Sequence, residues 1–367
     1  MQTDYYQLQK KTSSELPKTD VSITYGQYNS FYRNDNNITV SQTIPFPTVF
    51  GAKSSLANAQ IKGAELQTAS TKNELTYQIK QVYYQLLFWK SYKTVLMQQD
   101  SMYLQMVKAA DLRYKTGDGT LLEKTSADTR LSEVQNKLKQ TDAEIQALNV
   151  NLQSLMGVTY NVSIESNDSF VRPFNLINDT ATVNANPQLA YIKQQIEIAQ
   201  REKSVITNAA LPEIKIGYFN QSLYGVSLND ANTQFAGATN RFQGVQVGLI
   251  IPLWFAPDVN KSKAAQIQVD INEMHYQSEQ IIFQSYYNQA VQHYLAAQNN
   301  FNYYQSNALP NADLIEKQSQ TAFSKGEIGY TQHLLNLQQV VSIRESYLNA
   351  VSDYNQTVIY IEYLTAR

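Results

Sequence analysis

RYKTGDGTLLEKTSADTRLSEVQNKL, residues 113–138, reads as the end of one helix, a glycine turn and the start of another. The same layout returns as AFSKGEIGYTQHLLNLQQVVSIRESY, residues 322–347. Gly117 falls on Gly326 at an offset of 209 residues. Carried forward, that offset places Leu131, Val134, Leu138, Ile145, Leu152 and Leu155 on Val340, Ile343, Tyr347, Tyr354, Ile361 and Leu364. Every one of these positions is apolar or aromatic, and their spacings of 3, 4 and 7 are those of a helix seam. Upstream, ELPKTDVSITYGQY around Pro17 matches ALPEIKIGYFNQS around Pro212 at an offset of 195, and TIPFP with Pro45 matches IIPLW with Pro252 at 207. The drift from 195 to 209 marks insertions in the second copy, and the chain is a tandem duplication.

Both copies then read alike. After the Leu-Pro comes strict alternation, with Val21, Ile23 and Tyr25 against Ser22, Thr24 and Gly26, and again Ile214, Ile216 and Tyr218. A polar turn follows, short in the first copy and long in the second. A second alternating run carries Ile38, Val40, Gln42 and Ile44, or Val245, Val247, Leu249 and Ile251. These are two hairpins, with strands expected at about 18–32, 37–46, 213–224 and 242–253. Pro45 and Pro252 close them where a missing N–H does no harm. The period then changes. From Ala52 to Lys115 there is no proline and only one glycine, Gly63, which permits a helix of roughly 95 Å. The second copy is helical over 258–365, with Pro310 expected to end one helix and begin another. This gives a first repeat over 1–157, with a helix remnant, two strands and a helical hairpin from 52 to 157. An irregular segment rich in Asn, Asp, Ser and Thr covers 158–185. The second repeat is 186–367, opened by a helix at 186–210.

Composition narrows the function. Charged residues are only 16% against 43% apolar, and tyrosine, at 26, is twice as common as phenylalanine, at 13. Glycine (13) and proline (9) are scarce, so turns are few and elements long. A net charge of −2 excludes the basic footprint of a nucleic-acid binder. Cysteine is absent, which removes disulfides, thiol catalysis, zinc-thiolate sites and a lipidated N-terminal Cys from the sequence. No apolar run approaches the roughly 20 residues of a spanning helix. The residues after Met1 carry neither a basic nor an apolar leader region. A β-barrel remains open, because strands of about 9–11 alternating residues escape hydropathy scans.

Four such strands cannot close a sheet alone, and helices longer than a globular core need neighbours of equal length. Oligomerisation answers both needs by pooling strands into one barrel and helices into one tube. Phe46, Phe50, Trp254 and Phe255 lie at the strand–helix junctions and are candidate membrane-interface aromatics. The competing reading is ordinary packing at a sheet end.

The order ALP–strand–loop–strand–IPF or IPL–long helix–[YF]xxG–helix, occurring twice over nearly the whole chain, resembles the TolC-type outer-membrane efflux channels. The resemblance implies an α+β membrane protein, with tandem-repeat protomers of four β-strands and long coiled-coil helices. These trimerise into a 12-stranded β-barrel and a periplasmic α-helical barrel, with an equatorial belt from the bridge and C-terminal segments. It also implies an exit duct in the outer membrane of a Gram-negative bacterium, with most of its mass in the periplasm. The partners implied are a periplasmic adaptor, an inner-membrane pump (the resistance-nodulation-division type being one option) and outer-membrane lipid. No chemistry and no cofactor are implied. By the offset of 195, the first copy's opening helix would start about ten residues before Met1, so a longer polypeptide, carrying its export signal elsewhere, is expected.

Candidate docking residues are those of the helix tips: Gly117, Asp118, Gly119, Gly326, Glu327, Ile328 and Gly329. Glycine permits the positive φ of a sharp reversal; the plainer reading is a helix C-cap. Related channels narrow the tunnel with acidic residues about six positions after the second tip glycine. Here Gln332 stands there while the first copy offers Glu123, so these two are the candidate constriction. Asp118, Glu123 and Glu327 would form rings of three in a trimer and favour cations, or else are N-terminal helix charges. Met97, Met102 and Met106 read as seam filler rather than soft-metal ligands, and Trp89 reads as helix packing. His275, His293 and His333 make no i, i+4 pair, so no metal site is expected. The alternative function is a soluble coiled-coil scaffold, which leaves the four alternating segments unexplained. A helical pore-forming toxin lacks its apolar segment. An enzyme lacks a nucleophile–base set or a phosphate loop.

Overall fold

The structure, a computed structural model, describes residues 1–27, 31–160, 162, 170–176, 180–229, 231, 233–237 and 239–367, with backbone alone for 180–182. The elements run α1 (Gln2–Lys11), β1 (Asp20–Tyr25), β2 (Asn36–Ile44), α2 (Pro47–Thr116), α3 (Leu121–Met156), α4 (Pro187–Ala209), β3 (Glu213–Ser222), β4 (Arg241–Ile250), α5 (Ala256–Tyr303), α6 (Leu309–Ser324) and α7 (Tyr330–Thr365). The expected first strand reaches onto 28–30, and the inter-repeat segment onto 161, 163–169 and 177–179, all outside the described residues. Two compact units emerge: Met1–Thr68 with Gln188–Glu279, and Ala69–Pro187 with Gln280–Arg367.

The first unit holds one antiparallel sheet in the order β1-β2-β3-β4. Gly26 ends β1 at φ 120°, a conformation that a side chain resists. Pro47 opens α2 at the first helical position, where its fixed φ helps and no N–H is missed. Gly63, in the interior of α2, lets α4 lie close against it: a Cβ there would meet Ile198 Cδ1 at 3.0 Å. Beside it, Gln194 Nε2 donates to the Ala59 carbonyl at 3.2 Å.

The second unit is helical. Leu96, Tyr103, Met106 and Ala110 from α2 pack with Ala127 and Val134 from α3 and with Tyr330, Leu334 and Leu337 from α7. Further along, Val82, Leu86 and Leu87 bury Leu152. Part of the inter-repeat segment is tied down by polar groups. The Arg172 guanidinium donates to both Glu362 carboxylate oxygens at 2.8 Å, and Lys80 donates to Glu362 at 2.7 Å. The Asn355 side chain accepts from the Arg172 N–H at 2.9 Å and donates to the Phe170 carbonyl at 2.7 Å. Burial opposes the Arg172 charge, yet Glu362 and Tyr84 raise its pKa.

Pro310 stands in the first turn of α6, where a new helix is expected to begin, yet no loop precedes it. The chain passes from α5 through a single π turn at Tyr304–Ala308 directly into α6. A proline in a helix lacks its N–H and presses on the carbonyl four residues back, here Ser306. The extra residue of a π turn relieves that clash, so the helix absorbs the proline instead of ending.

Candidate functional site

The two tips close by the same device. Gly117 has φ 79° and Gly326 φ 75°. At the first, Gly117 N–H donates to the Tyr114 carbonyl at 3.3 Å and Asp118 N–H to the Arg113 carbonyl at 2.9 Å. At the second, Gly326 N–H donates to the Phe323 carbonyl at 3.0 Å and Glu327 N–H to the Ala322 carbonyl at 2.8 Å. Both are the paired 5→2 and 6→1 bonds that satisfy carbonyls at a helix C-terminus. Gly119 is required for space: a Cβ would sit 2.9 Å from Arg113 Cβ. Thr120 then caps α3, its hydroxyl accepting from the Glu123 N–H at 3.2 Å, and Gly329 occupies the cap position of α7.

Around these turns Asp118, Gly326, Glu327 and Gly329 are exposed, while Ile328 is half-buried. Leu112, Leu121 and Leu122 are also exposed, at 64%, 59% and 79%, so the first tip offers apolar surface beside its acidic group. The ion pairs that join each hairpin, Lys124–Asp111 at 2.6 Å and Arg344–Glu316 at 2.6 Å, are partly exposed, and screening by solvent keeps their contribution small. Glu123 is half-buried against Gly119, and Gln332 is exposed and donates to Asn336 Oδ1 at 3.0 Å.

Sequence reading passed over Tyr330 and weighed His333 only as a metal ligand. Tyr330 is 3% exposed, and its hydroxyl, like Glu123 Oε2 and Arg113 Nε, is buried with no hydrogen-bond partner. Burial first, and the Glu123 charge second, raise the Tyr330 pKa. His333 is buried beneath the Phe323 ring, stacked at 4.6 Å, with Nδ1 2.8 Å from the Ser319 hydroxyl. Burial lowers its pKa, so the imidazole is held neutral. The clue in sequence was their place on the seam face of α7, three residues apart and followed by Leu334 and Leu337.

The sheet is two-faced. By register, Val21, Ile23 and Tyr25 share one face with Ile38, Val40 and Ile44, with Ile214, Ile216 and Tyr218, and with Val245, Val247 and Leu249. This apolar face is bare: Ile23 is 71% exposed, Val245 73% and Val247 71%. The opposite face carries Ser22, Thr24, Asn37, Thr39, Ser41, Thr43, Gln221 and Gln246, with Asn37 and Ser41 only 8% and 5% exposed. A water-soluble sheet has the reverse pattern, polar side chains outward and apolar ones packed. The edges of β1 and β4 have no partner strand among the described residues. Trp254 and Phe255, past the end of β4, are 86% and 69% exposed, Phe46 is 39% exposed, and Phe50 is half-buried.

No helix among the described residues is long and apolar enough to cross a membrane, and no group of three or more His, Cys, Asp or Glu side chains suited to a metal ion occurs among them. No protein-family model and no curated protein matches the chain in sequence. Solved structures do match. The outer-membrane channel OprN is 13% identical with a TM-score of 0.78, over 99% of this chain and 84% of that one. The outer-membrane protein VceC of Vibrio cholerae is also 13% identical, at a TM-score of 0.77 over 99% and 90%. The CmeC outer-membrane channel of Campylobacter jejuni is 12% identical, at 0.75 over 99% and 81%. The chain has the fold of these outer-membrane channels. Of what the TolC-type resemblance implied, this shows the fold of the single chain, mostly helical with one four-stranded sheet.

Proposed function

We propose that this chain is one protomer of an outer-membrane exit duct of a Gram-negative bacterium. The observation that supports this best is the sheet: a bare apolar face, a polar opposite face and two free edges, on a fold shared with outer-membrane channels. Three copies supply twelve strands, and closure pairs β4 of each copy with β1 of the next, leaving no edge exposed. The apolar faces then meet lipid and the polar faces line a wet lumen. Phe46, Phe50, Trp254 and Phe255 sit at the periplasmic boundary of the bilayer. The helices of three copies form a periplasmic tunnel, with residues 1–157 and 186–367 as repeats and 158–185 at the equator.

In this reading the duct does no chemistry and passively conducts what an inner-membrane pump delivers through a periplasmic adaptor. The tips, Gly117–Asp118–Gly119 and Gly326–Glu327–Ile328–Gly329, are the adaptor contacts. Glu123 and Gln332 narrow the tunnel behind them, and Asp118, Glu123 and Glu327 favour cations at its entrance. A soluble scaffold would have to leave Val21, Ile23, Val245 and Val247 in water, against the transfer cost of about 25 cal/mol per Å². The test is fractionation of the native membrane. Release only by detergent supports the duct, and release by salt or alkaline wash refutes it.

A further inference from the structure

Among the side chains that register places on the apolar face of the four strands, Arg241 alone is charged. It opens β4 at the end remote from α5 and is exposed. At about 3.4 Å per residue and a tilt near 40°, β4 covers roughly 23 Å of height, close to the 25 Å of an apolar band. Trp254 and Phe255 stand past one end of that span, which puts Arg241 at the other, at headgroup level. The guanidinium is fixed in place without being neutralised. Its Nε donates to Asn220 Oδ1 at 2.6 Å, one Nη to Asn36 Oδ1 at 2.6 Å and the other to the Asn220 carbonyl at 3.0 Å. Groups from β2 and β3 thus hold a side chain of β4, every acceptor is neutral, and two of the five guanidinium N–H groups remain unused. No carboxylate pairs with Arg241 among the described residues. Asp35, the only acid among the described residues of the two hairpin turns, is 1% exposed, and its Oδ1 accepts from the Ser222 hydroxyl and the Tyr224 N–H. Closure against β1 of the next copy adds no acid to this face, since β1 presents Val21, Ile23 and Tyr25 there.

Resting on the duct reading above, we propose that Arg241 anchors a phosphate of the glycolipid that forms the outer leaflet of a Gram-negative outer membrane. A lipid-facing arginine is tolerated only near the interface, where its cost falls to about 0–1 kcal/mol. At that level an unneutralised cation recruits anionic headgroups, and guanidinium geometry suits phosphate oxygens. Tyr218, 44% exposed and bonded through its hydroxyl to Gln243 at 2.6 Å, supplies the interfacial aromatic of this rim. Next to it Val245 is 73% exposed, an apolar surface that acyl chains can cover and a free phosphate cannot. Three copies place three such anchors at one height around the barrel.

The experiment titrates the full chain in neutral detergent with lipid A, the doubly phosphorylated glucosamine lipid of that leaflet, and with the same lipid stripped of both phosphates. A chelator is present throughout, and bound lipid is counted by native mass spectrometry. The wild-type trimer should bind the stripped lipid about tenfold more weakly than the phosphorylated one. Arg241→Gln should erase that difference by weakening phosphorylated lipid A to the stripped value, and Arg241→Lys, which keeps the charge and loses the planar fork, should fall between. If Arg241→Gln does not assemble, Arg241→Lys and the wild-type comparison of the two lipids decide. Equal wild-type affinity for the two lipids, or phosphorylated lipid A binding unchanged in Arg241→Gln, overturns the proposal while leaving a duct. Inorganic phosphate that displaces lipid A at equal concentration overturns the lipid as occupant. A wild-type chain that stays monomeric overturns the duct reading and the proposal with it.

Discussion

Val247→Arg is the perturbation for which the structure sets both a position and a size. Val247 lies on the apolar face, opposite Ile216, and is 71% exposed in the protomer. β4 runs Arg241–Ile250, so Val247 is about one and a half residues from the strand's middle. At about 3.4 Å per residue and a tilt near 40°, this is roughly 4 Å from the centre of the apolar band. Arginine at that depth costs about 2–4 kcal/mol. Closure places the substitution in the barrel three times, for a total near 6–12 kcal/mol, or four to nine decades in the assembly constant at about 1.4 kcal/mol per decade. Gln246→Arg is the control: Gln246 is exposed on the polar face, opposite Gly217, where the guanidinium stays in water. The assay is the fraction of heat-modifiable trimer in outer-membrane preparations at matched expression. Near-total loss for Val247→Arg with normal trimer for Gln246→Arg is expected. Equal loss, or equal tolerance, would refute the face assignment and the barrel argued from it.

Three further outcomes follow from named contacts. Gly117→Val with Gly326→Val forces β-branched residues to φ 79° and 75°, at a cost of at least about 1–2 kcal/mol each; export should fall while trimer abundance stays near normal, and full export at normal abundance would remove the docking role of the tips. Burial lowers the His333 pKa below its ordinary 6.5, so the stability it contributes is present above pH about 6.5 and is lost as pH falls through that value toward the lower folded pKa; His333→Gln should flatten the fall in thermal midpoint between about pH 7.5 and 5, and an unchanged pH slope would show that the imidazole does not titrate. Glu362→Leu leaves Arg172 and Lys80 without their shared carboxylate and should cost about 1–3 kcal/mol, read as a lower thermal midpoint. The triple change with Arg172→Met and Lys80→Met should recover much of it, since no charge is then left stranded; no recovery would mean that the ion cluster is not what Glu362 supports.

The duplication is legible in the sequence because each copy repeats one physical programme: alternation, proline, long periodic helix, glycine, helix. Val21, Ile23 and Tyr25 announce a strand, and the period of the seam from Leu131 to Leu155 announces a helix, without reference to anything distant. The π turn at Tyr304–Ala308 was not readable, because a proline's effect depends on whether packing favours absorbing it or ending the helix. Nor could alternation alone single out Phe219 and Phe242. They stand among polar residues on their own strands, and only the register shows that Gly244 and Gln221 lie opposite them. Glu123 reads from sequence as a residue of the open tunnel. The structure adds that it is half-buried in the protomer beside Gly119, near enough to Tyr330 to raise that phenol's pKa. Tyr330, which feels its charge, belongs to a hairpin about 200 residues away in sequence, and no local pattern encodes that approach.

The central claim is that four strands per chain are completed by two further copies. Light scattering on the detergent-solubilised protein, with detergent mass subtracted, tests it most directly. The account predicts a protein mass three times the 41.7 kDa of this chain, or three times the mass of any longer polypeptide that carries it, and precipitation when detergent is withdrawn. A monodisperse monomer of the chain's own mass, soluble without detergent, would contradict it.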